Sequence, residues 1–191
     1  PVMKWVLCFM LAVGSSFLHG QTDRMYAMRR EAQNLQKREH FAEALQKYLE
    51  LIKAPEVDKK LFWDDFSAAQ LCLARLQRTP EIDSLLAEVN ARFPEDWWLQ
   101  WQIGEYVQAM PNYGVLLDGK FYRGTHRVTG TSLRVRERNR RQGLLHFEKA
   151  RNLLQTQTAS DWERIEFFLE YAAAFLQNDA SSLLRETYLP D

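Results

Sequence analysis

Cysteine, glycine and proline are all scarce in this chain of 191 residues. The two cysteines are Cys8 and Cys72, and Cys8 lies in an apolar N-terminal run that we expect to be removed. With Cys72 alone no intrachain disulfide is possible, so the fold must be held by its hydrophobic core. Eight glycines and six prolines are too few for a turn-dense β protein, which favours an all-α fold.

An excess of charge of one sign is also lacking, because 25 basic residues balance 25 acidic ones. Hydrophobic residues make up 46% of the chain, which excludes a disordered protein. A chain that is neutral as a whole and secreted is a poor candidate for nucleic-acid binding, so no nucleic-acid partner is expected.

The first twenty residues have the pattern of a secretory signal peptide. Lys4 precedes the apolar run Trp5–Val13, and small and polar residues follow up to Gly20. The run is shorter than the roughly 20 residues of a spanning helix. We therefore expect a secreted, periplasmic or cell-envelope protein with no membrane span after cleavage, a retained N-terminal anchor being the alternative.

The remaining residues, 21–191, show helical periodicity and predict one helical-repeat domain. Two helices are predicted on either side of a tight break near His40. Small, large and aromatic residues recur along them at regular spacing, and the second helix ends at a proline. These residues are Ala32, Leu35, Phe41, Ala44, Tyr48, Leu51 and Pro55. This spacing resembles a tetratricopeptide repeat, whose period is about 34 residues and whose helical hairpins pack antiparallel. It predicts a tetratricopeptide-like array of antiparallel helical hairpins.

Further helices are predicted along the chain, covering 61–77, 80–93, 97–110, 133–155 and 162–177. In the last of these, the spacing of Trp162, Ile165 and Leu169 predicts the buried stripe. Asp64 and Asp65 are adjacent, so we expect both on the surface. Residues 181–188 begin one more helix, and the pattern does not close before Asp191, so we expect a fragment of a longer chain.

A short β-hairpin and loop are predicted to interrupt the helices at about 111–132. Asp118 and Gly119 are a residue pair typical of a type I′ turn, which requires positive φ at both central positions. Residues 115–117 and 120–122 are the expected strands on either side of this turn.

Basic residues concentrate next to this turn, with eight of them and only one acidic residue from Lys120 to Arg141. Helical spacing would place Arg134, Arg138 and Arg141 on one helix face. Three interpretations were weighed, namely an exposed face paired with acidic neighbours, a contact with a protein or anionic surface, and nucleic-acid binding, which the neutral overall charge disfavours. In each of them we expect the arginines to be exposed.

Catalytic and metal-binding patterns are missing from the sequence. No Cys-x-x-Cys or His-x-x-x-His spacing is present, and neither is a nucleophile or phosphate-binding motif. Cys72 lies among leucines and is expected to be buried. We therefore predict no enzyme, no cofactor, no metal and no small-molecule substrate; a site built on His126 and the arginines is the weak enzymatic alternative.

A family resemblance is carried by the same basic segment. Its residues are Tyr113-Gly114, Asp118-Gly119-Lys120-Phe121, Arg123-Gly124, His126-Arg127, Arg136, Arg138, Arg140 and Leu144. This pattern resembles a region near the N-terminus of large bacterial alpha-2-macroglobulin-like proteins. The resemblance implies a secreted protein that traps proteases, in which this chain is a non-catalytic helical scaffold before the macroglobulin domains. Cys72 is followed by Leu73-Ala74 and not Glu-Gln, so no thioester lies in this chain.

Two protein-binding hypotheses follow. In the first, the chain contacts other domains of the same longer protein. In the second, it is a stand-alone secreted adaptor that binds a peptide or an envelope protein. The candidate partner-binding residues are Arg29, Gln33, Lys37, Tyr113, Lys120, Arg123, His126, Arg127, Arg134, Arg138 and Arg141.

Overall fold

The computed structural model describes residues 23–55, 58–124 and 131–176. The backbone of Lys120 and of 131–134 is described without their side chains. The predicted signal peptide, the candidates His126 and Arg127, and the helix expected at 181–188 lie outside the described residues.

Helices dominate the described residues, as the sequence predicts, and a small sheet interrupts them. The helices are α1 (23–37), α2 (Phe41–Lys53), α3 (Lys59–Arg75), α4 (Glu81–Arg92), α5 (Trp97–Ala109), α6 (Arg136–Leu154) and α7 (Asp161–Leu176). The strands are β1 (Tyr113–Leu117), β2 (Lys120–Arg123) and β3 (Thr131–Arg134). The chain divides into two compact units, one up to Thr79 and the other from Pro80 onward.

The first unit contains α1, α2 and α3 around a core of small and aromatic side chains. Ala32 and Ala44 are completely buried, which lets α1 and α2 approach closely, as the repeat-like spacing predicts. The Tyr48 hydroxyl donates a hydrogen bond to Gln36 Oε1 at 2.8 Å and so links the two helices. Cys72 is buried, as predicted.

Helices α1 and α3 end in the same backbone motif. Glu39 and Gln77 have positive φ values of 63° and 59°, although neither is glycine. In both cases the next amide reaches back to the helix, from His40 to the Leu35 carbonyl and from Arg78 to the Leu73 carbonyl. This Schellman pattern satisfies the last carbonyls of each helix and reverses the chain sharply.

A buried ion pair crosses the first unit. Arg29 on α1 donates two hydrogen bonds to the Asp65 carboxylate on α3, at 2.8 and 2.6 Å. Asp65 is 1% exposed, so the prediction that it lies on the surface was wrong, whereas Asp64 is exposed. A carboxylate at this depth is tolerated because a guanidinium satisfies both of its oxygens.

In the second unit α5 and α6 cross at two glycines. A Cβ on Gly104 would lie 2.9 Å from the Phe147 ring, and one on Gly143 would lie 2.9 Å from the Gly104 carbonyl oxygen. Any larger side chain would therefore push the helices apart. Asp96 caps α5 by accepting from the Leu99 amide at 2.9 Å, as predicted.

The chain between α5 and α6 forms a three-stranded antiparallel sheet in the order β2-β1-β3. The predicted turn is confirmed, since Asp118 and Gly119 have φ values of 48° and 76° and Leu117 pairs with Lys120. The third strand was not predicted. Its residues Leu133 and Arg134 pair with Gly114 and Tyr113, so their backbone groups bond to the sheet and α6 begins only at Arg136.

The face of helix α7 that is buried differs from the one predicted. Phe167 is fully buried and meets Trp97, Trp101 and Phe147 at ring-centroid distances of about 6 Å. Trp162, Ile165 and Leu169 are exposed instead, so their assignment to the core was wrong. Apolar residues occupy most sides of this helix, and the aromatic cluster on α5 and α6 selects the side that is buried.

The buried ion pair predicts a contrast between two adjacent aspartates. We expect Asp65→Ala to lower the free energy of unfolding by about 3–5 kcal/mol, because Arg29 is left buried without its partner. Asp64→Ala should change it by less than about 0.5 kcal/mol, since that side chain is exposed. Urea denaturation of both variants measures the difference, and equal losses would contradict the assignment.

Candidate functional site

Arg123 anchors the sheet to the helices of the second unit. Its side chain is 3% exposed and donates to both Asp83 carboxylate oxygens on α4, at distances between 3.0 and 3.2 Å. It also donates to the Pro111 carbonyl at 2.7 Å and to Asn139 Oδ1 on α6 at 3.2 Å. The expectation that Arg123 is an exposed partner-binding residue was therefore wrong, because the sheet itself carries the side chain inward.

The other basic residues of this segment do not form one surface. Arg138 and Arg141 are exposed on α6, as predicted. Arg134 lies in β3 and so shares no helix face with them, because that part of the chain pairs with β1. The Arg138 guanidinium lies 5.4 Å from the centre of the Phe121 ring. The Arg123 guanidinium lies 5.5 Å from the centre of the same ring.

Of the remaining candidate partner-binding residues, some are exposed and one is buried. Tyr113 is exposed, and Lys120 is described only by its place at the start of β2. On α1, Gln33 and Lys37 are exposed, whereas Arg29 is buried against Asp65 and is unavailable to a partner. Arg29 fails as a surface candidate because its position on α1 faces the core that α3 completes.

A cavity of about 300 Å³ lies between α5, α6 and α7. Two carboxyl groups, an amide, an aromatic ring and three alanines line it. We call it the acidic cavity, and these residues are Glu105, Gln108, Ala109, Phe147, Glu170, Ala173 and Ala174. Sequence reasoning missed it, since no local pattern relates Glu105 to Glu170 across the sheet and α6.

Glu105 on α5 and Glu170 on α7 both line the acidic cavity. Burial raises the pKa of Glu105 to about 8, helped by a hydrogen bond to Glu170 and by the charges of Glu170 and Glu166. The Trp101 indole N–H donates to Glu170 Oε2 at 2.8 Å. With its pKa raised to about 8, Glu105 carries its proton at neutral pH.

This proton links the stability of the fold to pH. Folded Glu105 holds its proton up to about pH 8, whereas in the unfolded chain it ionises near its ordinary value of 4.5. Between these values the folded state binds more protons than the unfolded state. The contribution of Glu105 to the free energy of unfolding therefore falls as pH rises through this window, and it is constant above it.

A chain of polar side chains links α4, α5 and α6. His146 Nδ1 is 2.9 Å from Gln100 Oε1, and the Gln100 amide donates to Asn90 Oδ1 at 2.9 Å. Burial and the charge of Lys149 lower the pKa of His146, so the ring is neutral and Nδ1–H donates to Gln100. With every Gln100 side-chain polar atom engaged, this chain is a structural link.

Helix α7 exposes a continuous apolar face. Six of its large apolar residues are exposed, including Trp162 at 72%, Leu169 at 66% and Leu176 at 80%. The other three are Ile165, Phe168 and Phe175. Apolar surface concentrated in this way is typical of a protein contact. We call this set the α7 face.

Within the part of the chain that the structure describes, no group of three or more His, Cys, Asp or Glu side chains is arranged to hold a metal ion. None of the helices within the same residues has the length and apolar character to span a membrane.

Comparison with known proteins identified no relative of this chain. No protein-family model, no curated protein and no solved structure matches this chain.

The Arg123 network predicts a second contrast, between two arginines that contact the same ring. Arg123→Ala should lower the free energy of unfolding by about 2–4 kcal/mol, because Asn139 and the Pro111 carbonyl lose a buried donor and Asp83 loses its cation. Arg138→Ala should cost less than about 1 kcal/mol. Thermal denaturation measures both, and a loss above about 3 kcal/mol for Arg138→Ala would contradict its exposed position.

Proposed function

We propose that this chain is a non-catalytic scaffold that holds another protein segment on its helices. The observation that carries the proposal is the α7 face, because a soluble fold gains nothing from exposing Trp162, Leu169 and Leu176 side by side unless they are covered. Helical repeats bury such faces by stacking a neighbouring element on them.

The proposed occupant is a helical or extended segment from a further part of the same protein. The resemblance of the basic segment to alpha-2-macroglobulin-like proteins supports this choice, since the chain would then be the N-terminal helical region of a secreted protease-trapping protein. Charge supports it as well. Around the α7 face the acidic residues Glu163, Glu166 and Glu170 outnumber the single basic residue Arg164, so the covering segment should carry basic side chains.

A tetratricopeptide-like arrangement is part of the same proposal. Its support is the close packing at Ala32 and Ala44, and the matching Schellman ends of α1 and α3, at Glu39 and Gln77. The proposal also keeps a signal peptide at 1–20 and a secreted, periplasmic or cell-envelope location.

The second candidate is a stand-alone secreted adaptor of tetratricopeptide type that binds a peptide or an envelope protein. The observation that favours it is the exposure of Gln33 and Lys37, which lie one helical turn apart on α1. Only the first candidate requires a covered α7 face, so the two candidates differ in what is expected of Leu169.

The reactivity of a cysteine placed on the α7 face tests the proposal. Leu169→Cys is introduced into the 191-residue chain and into the longest chain that the coding sequence encodes beyond Asp191. We expect rapid modification by a thiol reagent in the short chain and about tenfold or slower modification in the long one, because the covering segment excludes the reagent.

Ala87→Cys on α4 is the matched control, since Ala87 is exposed in the same unit and outside the α7 face. It should react equally fast in both chains. Equal rates for Leu169→Cys in the two chains, or a coding sequence that stops soon after Asp191, would contradict the covering of this face by the same protein and favour the adaptor.

A further inference from the structure

The size of the acidic cavity restricts what it can hold. Its volume of about 300 Å³ is at the lower end of the range of ligand pockets. One side chain of a partner fills such a space, whereas a nucleotide or flavin does not. Its walls are Phe147, Ala173 and Ala174, which suit an aliphatic stem.

Among the described residues, no basic side chain accompanies the polar groups of the acidic cavity. Its lining contains no lysine or arginine, and the charged groups that act on Glu105 are Glu170 and Glu166, both on α7. The lining residue from α6 is Phe147, which is uncharged. The buried Asp65, by contrast, faces the Arg29 guanidinium. The half-buried Glu105 and Glu170 have no such cation in the described lining of their cavity.

An unsatisfied donor lies in the same lining. Gln108 Nε2 is buried and has no hydrogen-bond partner among the described residues. A buried donor without an acceptor is destabilising, so a carbonyl oxygen brought in by a partner would satisfy it. A polypeptide offers a carbonyl oxygen together with its basic side chains.

The acidic cavity adjoins the α7 face. Ala173 lines the cavity and lies four residues after Leu169, which places the two side by side on the helix. Glu166 likewise follows Trp162 by four residues and precedes Glu170 by four. A segment lying on the α7 face therefore passes the mouth of the cavity.

We propose that the acidic cavity receives a lysine or arginine side chain of the polypeptide that covers the α7 face. The basic group lies between Glu105 and Glu170, its stem lies along Phe147, and the proton of Glu105 is released to solvent as the cation enters. This inference rests on the proposed function and specifies the chemistry of the partner.

The test uses the 191-residue chain and a minimal probe, N-acetyl-lysine methylamide. The probe is titrated into labelled protein while the Trp101 indole N–H is followed by NMR, since that proton is bonded to Glu170. We expect a saturable shift with an affinity about tenfold or more higher at about pH 9 than at about pH 6, because Glu105 must lose its proton while the probe keeps its own.

Three controls accompany the titration. The probe acetylated on its side-chain amine is neutral and should not bind. Glu105→Gln keeps a donor toward Glu170, so it should fold normally, yet it should lose both the binding and its pH dependence. Glu148→Gln is the matched control on the exposed side of α6 and should bind like the unaltered chain.

The proposal is overturned by any of three results: no shift at either pH, equal binding of the neutral probe, or unchanged binding by Glu105→Gln. The reactivity of Leu169→Cys separates this failure from that of the proposed function. If the probe does not bind while Leu169→Cys is protected in the longer chain, the proposed covering of the α7 face is supported. The proposed role of the acidic cavity is then contradicted.

Discussion

The close crossing of α5 and α6 at Gly104 and Gly143 is the constraint on which the second unit depends. Because neither position has room for a Cβ, Phe147 lies directly over α5 and presents its ring to Phe167 of α7. That contact sets the side on which α7 packs, and hence places Glu170 against Glu105. The acidic cavity and the α7 face are both consequences of this crossing.

Buried charge is handled in two different ways in this protein. Arg29 and Arg123 are buried with carboxylates and other acceptors, so each of these charges is compensated within the fold. Glu105 and Glu170 are half-buried, and no basic side chain among the described residues lines their cavity. Burial and the neighbouring Glu170 instead raise the pKa of Glu105 to about 8. Such a pair remains open to an external cation, which distinguishes it from the two arginine networks.

Local rules predicted the elements whose causes are local. The Asp118-Gly119 turn and the cap at Asp96 need only neighbouring residues, and the sequence was sufficient for both. Strand β3 was missed because Leu133 and Arg134 are held by pairing with β1, which no local pattern records. The burial of Arg123 depends on Asp83, which lies forty residues earlier in the chain. The side of α7 that is buried depends on rings supplied by α5 and α6.

The central claim is that Glu105 carries a proton at neutral pH, and a ¹³C NMR titration of its side-chain carboxyl tests it most directly. The account predicts a midpoint near pH 8 in the unaltered chain and a return toward the ordinary glutamate range in Glu170→Gln. A midpoint of about 4–5 in the unaltered chain would contradict it, because the two carboxyl groups would then be separate and solvated.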